Sequence, residues 1–343
     1  MGLRAVLATA LLVAGGLGVE CDTSSETTSA PAASVAPTAS APRDAGAPRP
    51  PAPTGPGLGP GFATTGPWVS FYGSAGEMSD LAKVASTFRI INIDVDPGAG
   101  NFTDGQIQTL KAAGKNQVIS YLNVGSCEKS RTYWSTAPGF VSCGANTAAQ
   151  IGPYYGYPDE IWMDPSSDAY QKLIVEHVAA RLAARGVDGF YLDNLELLSH
   201  APTDKHGPCS AKCSQGGLDL VKRLRDKFPD LLIVMQNGTS DVTRLGKTGG
   251  VEFLRLLDGI AHEEVYAPTF DKTAEDELLA WKAMDLKSRS GRPFWIAVED
   301  YAGSCANKTA ADAAIMKSLA KGFSPYVSDD SAKQHVVCYW GRP

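Results

Sequence analysis

Several short apolar runs in this 343-residue sequence end in carboxylates. Asp94 and Asp96 close one run, and Asp164, Asp193, Glu263 and Glu299 close four others. Aromatic residues travel with them: Tyr72, Tyr121, Trp162, Tyr191 and Trp295. One acid at a strand end usually caps the next helix or pairs with a base. Five acidic strand ends with rings among them fit sugar chemistry better, in which a pair of carboxyls flanks the scissile glycosidic bond.

Carboxylates can act together only if the chain brings strand ends to one place. Strands are expected at 69–72, 89–96, 117–124, 160–164, 189–193, 231–237, 259–263 and 293–299, with amphipathic segments between them. One helix is marked by Thr103 and Gln106 as a capping box, with Ile107 and Leu110 facing inward and Gly114 at its end. Another repeats Tyr170, Leu173, Ile174, Val178 and Leu182 at helical spacing and stops at Gly186. Eight strand–helix units over about 275 residues predict an α/β fold, a (β/α)8 TIM barrel. An open doubly wound sheet is the alternative, and no Gly-rich nucleotide loop supports it.

Side chains alternate between the helix face and the barrel axis. Parity puts Tyr72, Asn92, Asp94, Asp96, Tyr121, Asn123, Trp162, Asp164, Tyr191, Asp193, Trp295 and Glu299 on the axis side. In 231–237 it leaves Gln236 and Asn237 as alternatives. Glu263 shares the axis face with Gly259 and Ala261, whereas Glu264, the alternative acid, shares the face of Ile260. Barrel active sites form at the C-terminal strand ends, so the catalytic residues are expected among these acids. Tyr72, Asp94, Asp96, Tyr121, Asn123, Asp164, Asn194, Asn237 and Glu299 are the expected substrate contacts. Simpler roles compete at several of these positions. Asp94 and Asp96 are equally suited to salt bridges, Asn123 and Glu128 to shaping a loop, and Arg131 to a structural ion pair. Tyr72, Tyr121 and Trp295 are suited to filling the barrel.

Residues 1–21 carry one basic side chain, Arg4, before an apolar run from 5 to 19, too short for a membrane anchor of about 20 residues and right for a signal peptide. Cys21 stands where a lipoprotein carries its acylated cysteine, although Glu20 occupies a position that normally holds a small residue. Residues 22–65 are expected to be a disordered linker. No aromatic residue occurs from 22 to 61, and nine of the 22 prolines fall between Pro31 and Pro60. The folded domain is then 66–343.

The other six cysteines suit three disulfides in an oxidising compartment. Loop placement pairs Cys127 with Cys143, Cys209 with Cys213, and Cys305 with Cys338. His200, His206, Cys209 and Cys213 offer a zinc set on paper, but export favours the disulfide, and neither metal nor cofactor is expected. The net charge of −6, about −5 of it on the domain, argues against nucleic acid and favours a neutral or cationic partner.

In the stretches Ile119-Ser-Tyr-Leu-Asn-Val-Gly-Ser126, Glu128, Arg131, Glu160-Ile-Trp-Met-Asp164, Gly186-Val-Asp-Gly-Phe-Tyr-Leu-Asp-Asn194 and Asp258-Gly-Ile-Ala-His-Glu263, the chain resembles the endo-α-1,4-polygalactosaminidases of glycoside hydrolase family 114. The resemblance implies a secreted retaining hydrolase of an amino-sugar polysaccharide, endo-acting on α-1,4-linked galactosamine. Asp193 would be the nucleophile and Glu263 the general acid/base, in a drier or more anionic setting than Asp193. Membrane attachment would come only through a lipidated Cys21. A non-catalytic barrel that holds extracellular polysaccharide is the alternative function. A barrel lyase or aldolase would need a Schiff-base lysine or a phosphate loop, and neither stands at a strand end.

Overall fold

The structure is a computed structural model that describes residues 52–330 and 333–341. The expected signal segment, Cys21 and the linker up to residue 51 lie outside the described residues.

Strands β1 (Trp68–Phe71), β2 (Ile90–Ile93) and β3 (Gln117–Asn123) follow one another. Next, β4 (Ser126–Glu128), β5 (Gln150–Tyr154) and β6 (Tyr157–Met163) form a separate antiparallel sheet. The chain returns with β7 (Gly189–Asp193) and β8 (Leu232–Gln236), makes a small ribbon of β9 (Lys247–Thr248) and β10 (Val251–Glu252), and ends with β11 (Gly259–Glu263), β12 (Trp295–Tyr301) and β13 (Ser324–Ser328). The main sheet has eight parallel strands in the order β1-β2-β3-β7-β8-β11-β12-β13, with helices between them, the (β/α)8 barrel expected from the sequence. Among the described residues β13 and β1 share no hydrogen-bonded ladder. Instead the Trp68 indole Nε1 donates across the seam to the Ser324 carbonyl at 2.9 Å.

Two expectations about strands are corrected. The run 160–164 falls at the end of β6 of the antiparallel sheet, with Asp164 just beyond it, and is not a barrel strand. A parallel neighbour needs a crossover element, and after β3 the chain makes only the short helix Thr132–Ser135 before pairing back on itself. The eighth barrel strand is instead β13, Ser-Pro-Tyr-Val-Ser, whose proline and flanking serines hide it from an apolar-run search. Pro325 has no N–H to donate, which suits a strand with one unladdered edge.

The helices follow their sequence signals. Thr103 and Gln106 cap Asp104–Lys111 reciprocally, burying Ile107 and Leu110. Asp168–Ala184 is one helical run with a π-helical turn at Leu173–Val178, and it buries Tyr170, Leu173, Ile174, Val178 and Leu182. Inside the barrel, rings stack upward from the N-terminal face. Trp295 lies 5.2 Å from Trp68, which in turn meets Tyr326 at 5.7 Å and Tyr191 at 6.5 Å.

The boundary of the disordered linker is also corrected, because residues 52–65 are packed under this floor. The backbone of Gly57 donates to the Lys287 carbonyl and that of Leu58 to the Arg255 carbonyl, each at 2.7 Å. Gly61 N donates to Asp258 Oδ1 at 2.7 Å, and Asp258 is itself paired with buried Arg225 at 2.6 Å. The Phe62 ring is buried 4.9 Å from Trp295. The proline-rich average masked two apolar side chains, Leu58 and Phe62, that had a surface to bury against.

Candidate active site

Asp193 ends β7 and Glu263 ends β11, with β8 between them. Since 160–164 lies outside the barrel, these are the fourth and sixth barrel strands and not the fifth and seventh. Their separation of two strands is unchanged. Glu263 is held by three donors. Asn237 Nδ2 reaches its Oε2 at 2.7 Å, while the Tyr301 hydroxyl and Gln334 Nε2, the latter at 3.2 Å, both reach its Oε1. Asn237 Oδ1 also accepts the Glu263 backbone N–H at 3.0 Å, fixing the amide orientation.

Asp193 has the opposite environment. Burial, then the neighbouring Glu196, Glu263 and Glu160, push its carboxyl well above the usual aspartate range. Glu196, one helical turn further along the chain, is pushed up to about 7, chiefly by burial. It accepts a hydrogen bond from the Tyr154 hydroxyl at 3.2 Å. The sequence expectation placed the drier, more anionic setting at Glu263; Asp193 too is crowded by acids. Glu264 takes a left-handed φ of 55° and turns to the surface, while Glu263 stays on the axis face.

The loop after β3 braces the Asp193 side. Ser126 Oγ donates to Glu160 Oε2 at 2.7 Å and accepts from Asn123 and Asn194, each at 2.8 Å. Glu160 rises above the ordinary glutamate range, chiefly by burial. Asn194, at φ 66°, sits against Gly125, where an added Cβ would lie 1.9 Å from the Asn194 carbonyl oxygen. Only glycine permits that approach.

The other expected contacts divide sharply. Asp94 and Asp96 are buried beside Arg131, at 2.6 and 4.0 Å, and Arg181 reaches Asp96 at 3.3 Å. Arg131 also grips Glu128 at 2.5 Å, so all three carboxylates of this cluster are engaged by two guanidiniums. Tyr121 donates to Glu128 at 3.1 Å and packs edge-on against Tyr72 at 5.1 Å, and the Tyr72 hydroxyl accepts from Asn92 at 2.9 Å. Asp164 follows β6, outside the barrel, and accepts Ser166 N–H at 2.8 Å, a turn cap. Glu299 is fully buried on the axis next to Glu263. Of the two residues left open on β8, Gln236 is buried in the barrel and Asn237 binds Glu263.

Four site residues were missed: Glu160, Glu196, Tyr301 and Gln334. Glu160 comes from the antiparallel strand β6 and Glu196 from a 3-10 turn after β7, neither of them a barrel strand end, and Gln334 belongs to a segment with no periodic signal. Tyr301 had one, since it continues the axis parity of Trp295, Ala297 and Glu299. Beside Glu263 opens a cavity of about 520 Å³, walled by Tyr157, Glu264, Phe270 and Tyr301 among others. Tyr157 and Phe270 are half exposed there. All three cysteine pairs expected from the sequence are bonded. The Cys209–Cys213 bond removes two of the four ligands of the hypothetical zinc set.

Comparison with known proteins agrees with this geometry. The profile of glycoside-hydrolase family GH114 matches residues 75–342. An uncharacterised protein of Methanocaldococcus jannaschii is 23% identical over 281 residues, 76% of each chain. One from Deinococcus radiodurans is 24% identical over 249 residues, 71% of this chain and 74% of its own. Among solved structures, the glycoside hydrolase domain of PelA from Pseudomonas aeruginosa superposes with a TM-score of 0.57 at 18% identity, over 79% of this chain and 98% of that one. Aspergillus fumigatus Ega3, solved in complex with galactosamine, gives 0.56 at 15% identity over 80% and 93%. These two share the fold.

Proposed function

The chain belongs to glycoside hydrolase family GH114, and on that premise we propose that it cleaves a cationic amino-sugar polysaccharide within the chain, at α-1,4-linked galactosamine and with retention of configuration. One observation carries the substrate class. Asp193, Glu160, Glu196 and Glu263 share one barrel mouth, and among the described residues none of them pairs with lysine or arginine, whereas Asp94, Asp96 and Glu128 all do. Crowded carboxylates without a cation attract one. An ammonium group on the sugar supplies that charge. The galactosamine bound in Ega3 supports this choice of sugar.

Asp193 is the nucleophile in this reading and Glu263 the general acid/base. Glu263 gives its proton to the glycosidic oxygen as Asp193 attacks the anomeric carbon, forming a glycosyl ester and releasing the leaving chain. Glu263 then takes a proton from water, which attacks the same carbon and frees Asp193. Retention needs the two carboxyls about 5–5.5 Å apart. Asp193 must be ionised to attack, and burial among acids opposes that. A substrate ammonium favours the ionised form, so the right substrate completes the nucleophile.

Three disulfides support an exported protein, directed outward by a signal segment within 1–21, and cleavage just before Cys21 would leave that residue as the site of a lipid anchor. The deciding experiment incubates the protein with matched deacetylated and acetylated galactosamine polymers and follows the new anomeric protons by NMR. Initial α product from the deacetylated polymer supports the proposal. Initial β product contradicts retention, and no cleavage of either polymer removes the substrate assignment.

A further inference from the structure

Gln334 belongs to no barrel element, yet it touches Glu263. The chain leaves β13, crosses the C-terminal mouth and runs down the seam where β13 and β1 share no ladder. Along that path Tyr72 N–H, at the end of β1, donates to the Gln334 carbonyl at 2.8 Å. The Trp340 indole donates to the Val327 carbonyl of β13 at 2.8 Å, and Cys338 N–H to the Tyr326 hydroxyl at 3.2 Å. The segment thus bonds to both lips of the seam. Cys338, buried, is tied to Cys305 beyond the end of β12, which fixes the segment 33 residues along the chain from its anchor.

The amide at its tip has only one workable orientation. Asn92 Nδ2 donates to Ser70 Oγ at 3.0 Å and to the Tyr72 hydroxyl at 2.9 Å. Ser70 therefore has its own proton left for Gln334 Oε1, at 3.2 Å. That turns Gln334 Nε2 toward the site, where its two hydrogens meet the Tyr301 hydroxyl at 2.8 Å and Glu263 Oε1 at 3.2 Å. Tyr301, receiving from Gln334, gives its own proton to the same Glu263 oxygen. The opposite flip would set the amide oxygen against a carboxylate. Gln334 is buried, with a left-handed φ of 44°, so its reach into the site is set by the segment's backbone.

We propose that Gln334 is a positioning residue for Glu263, delivered through the barrel seam by the C-terminal segment and kept there by the Cys305–Cys338 bond. It holds Oε1 in place and aligns the Tyr301 proton on it. The inference rests on the assignment of Glu263 as the acid/base.

The test begins with wild-type protein on the deacetylated polymer. Absence of cleavage there counts against the functional reading itself, before any variant is made. With cleavage established, Gln334→Ala is expected to lower kcat at least about tenfold, the scale of a lost hydrogen bond to a charged group. KM should change little, since the amide acts on Glu263 and not on the bound sugar. Gln334→Glu is the sharper probe. Its carboxyl donates only when protonated, so activity should survive at acid pH and fall away as that group ionises. Ser70→Ala, which releases the amide from its fixed orientation, should lower kcat in the same direction if Gln334→Ala does not fold. A Cys305→Ser, Cys338→Ser double variant should lose kcat while the protein stays folded. Wild-type kcat in Gln334→Ala, or in Ser70→Ala where the former is unfolded, overturns the proposal and leaves the hydrolase reading standing.

Discussion

Glu263 and Glu299 stand side by side in register on neighbouring strands, both on the barrel axis, and only one of them is bonded. Glu263 receives three side-chain donors, whereas neither carboxyl oxygen of the fully buried Glu299 has a partner. Burial first, and then Glu263, push Glu299 well above the ordinary value of 4.5. Such a place favours the protonated carboxyl.

A raised folded value at Glu299 makes stability fall with rising pH. Its contribution is complete below the ordinary glutamate value and is lost as pH rises through the raised folded value. Glu299→Gln, which is neutral at every pH, should therefore melt at or above the wild-type temperature, with the gap widening from pH 5 to pH 9. Thermal melts across that range check this. A variant that melts progressively lower than wild type as pH rises would show that Glu299 is held ionised.

The two proposed catalytic acids should fail in different ways. Glu263→Gln should lose at least about 100-fold in kcat, the lower end of general acid/base contributions, and should recover on substrates whose leaving group needs no proton. Asp193→Asn should lose activity on every substrate. Since it removes an acid crowded by Glu196, Glu160 and Glu263, it should also melt no lower than wild type. Steady-state kinetics on polymer and on an activated aryl glycoside, with paired melts, distinguish the two.

The pH dependence should report the acid crowd. In free enzyme Asp193 is raised by burial and by Glu196, Glu263 and Glu160, so the acid limb of kcat/KM should lie above the ordinary aspartate range. A cationic substrate favours the ionised form, so the acid limb of kcat, which reads the bound enzyme, should lie lower. Glu196→Gln should move the kcat/KM limb down. Coincident limbs in wild type, unmoved in this variant, would argue against the electrostatic account.

Substrate charge should matter at the mouth and not at Asp94. Cleavage of deacetylated chains should outpace that of acetylated ones and weaken with salt, given a Debye length of about 8 Å at physiological strength. Because Asp94 is spent on Arg131, Asp94→Asn should lower the melting temperature and leave the preference for deacetylated chains intact. Measuring kcat/KM on matched oligomers at two salt concentrations tests both statements.

The ordered segment under the barrel predicts a sharp N-terminal boundary. A chain beginning at residue 52 should melt with the full chain, and one beginning at residue 66 should melt lower. Phe62→Ala, which removes the ring packed on Trp295, should cost about 3–5 kcal/mol by denaturant titration.

What was legible in the sequence was what alternation makes legible. Strands such as Gly189–Asp193 and Gly259–Glu263 carry period-two patterns, so their axis faces and terminal acids could be read directly. Strand β13 could not, because Pro325 and two serines erase the pattern. Strand β6 had the pattern but the wrong sheet, since alternation is the same in a barrel strand and in an antiparallel hairpin. Asp94 shows the limit for the site: its face was right, but its partner Arg131 lies 37 residues away and no local signal couples them. Glu196 and Gln334 act through tertiary placement alone.

The seam has a consequence for how the molecule comes into being. Every barrel strand precedes Gln334 and Cys338 in the chain. A nascent polypeptide that has already made β13 still has an unsealed edge on each side of the seam, and its Glu263 lacks the Gln334 donor. Translation must pass Trp340, and an oxidant must join Cys338 to Cys305, before the last support of the site is in place. The proposed catalytic centre is thus completed last, so a chain cut short before Gln334 would keep all eight strands and lose one of the three donors that hold Glu263.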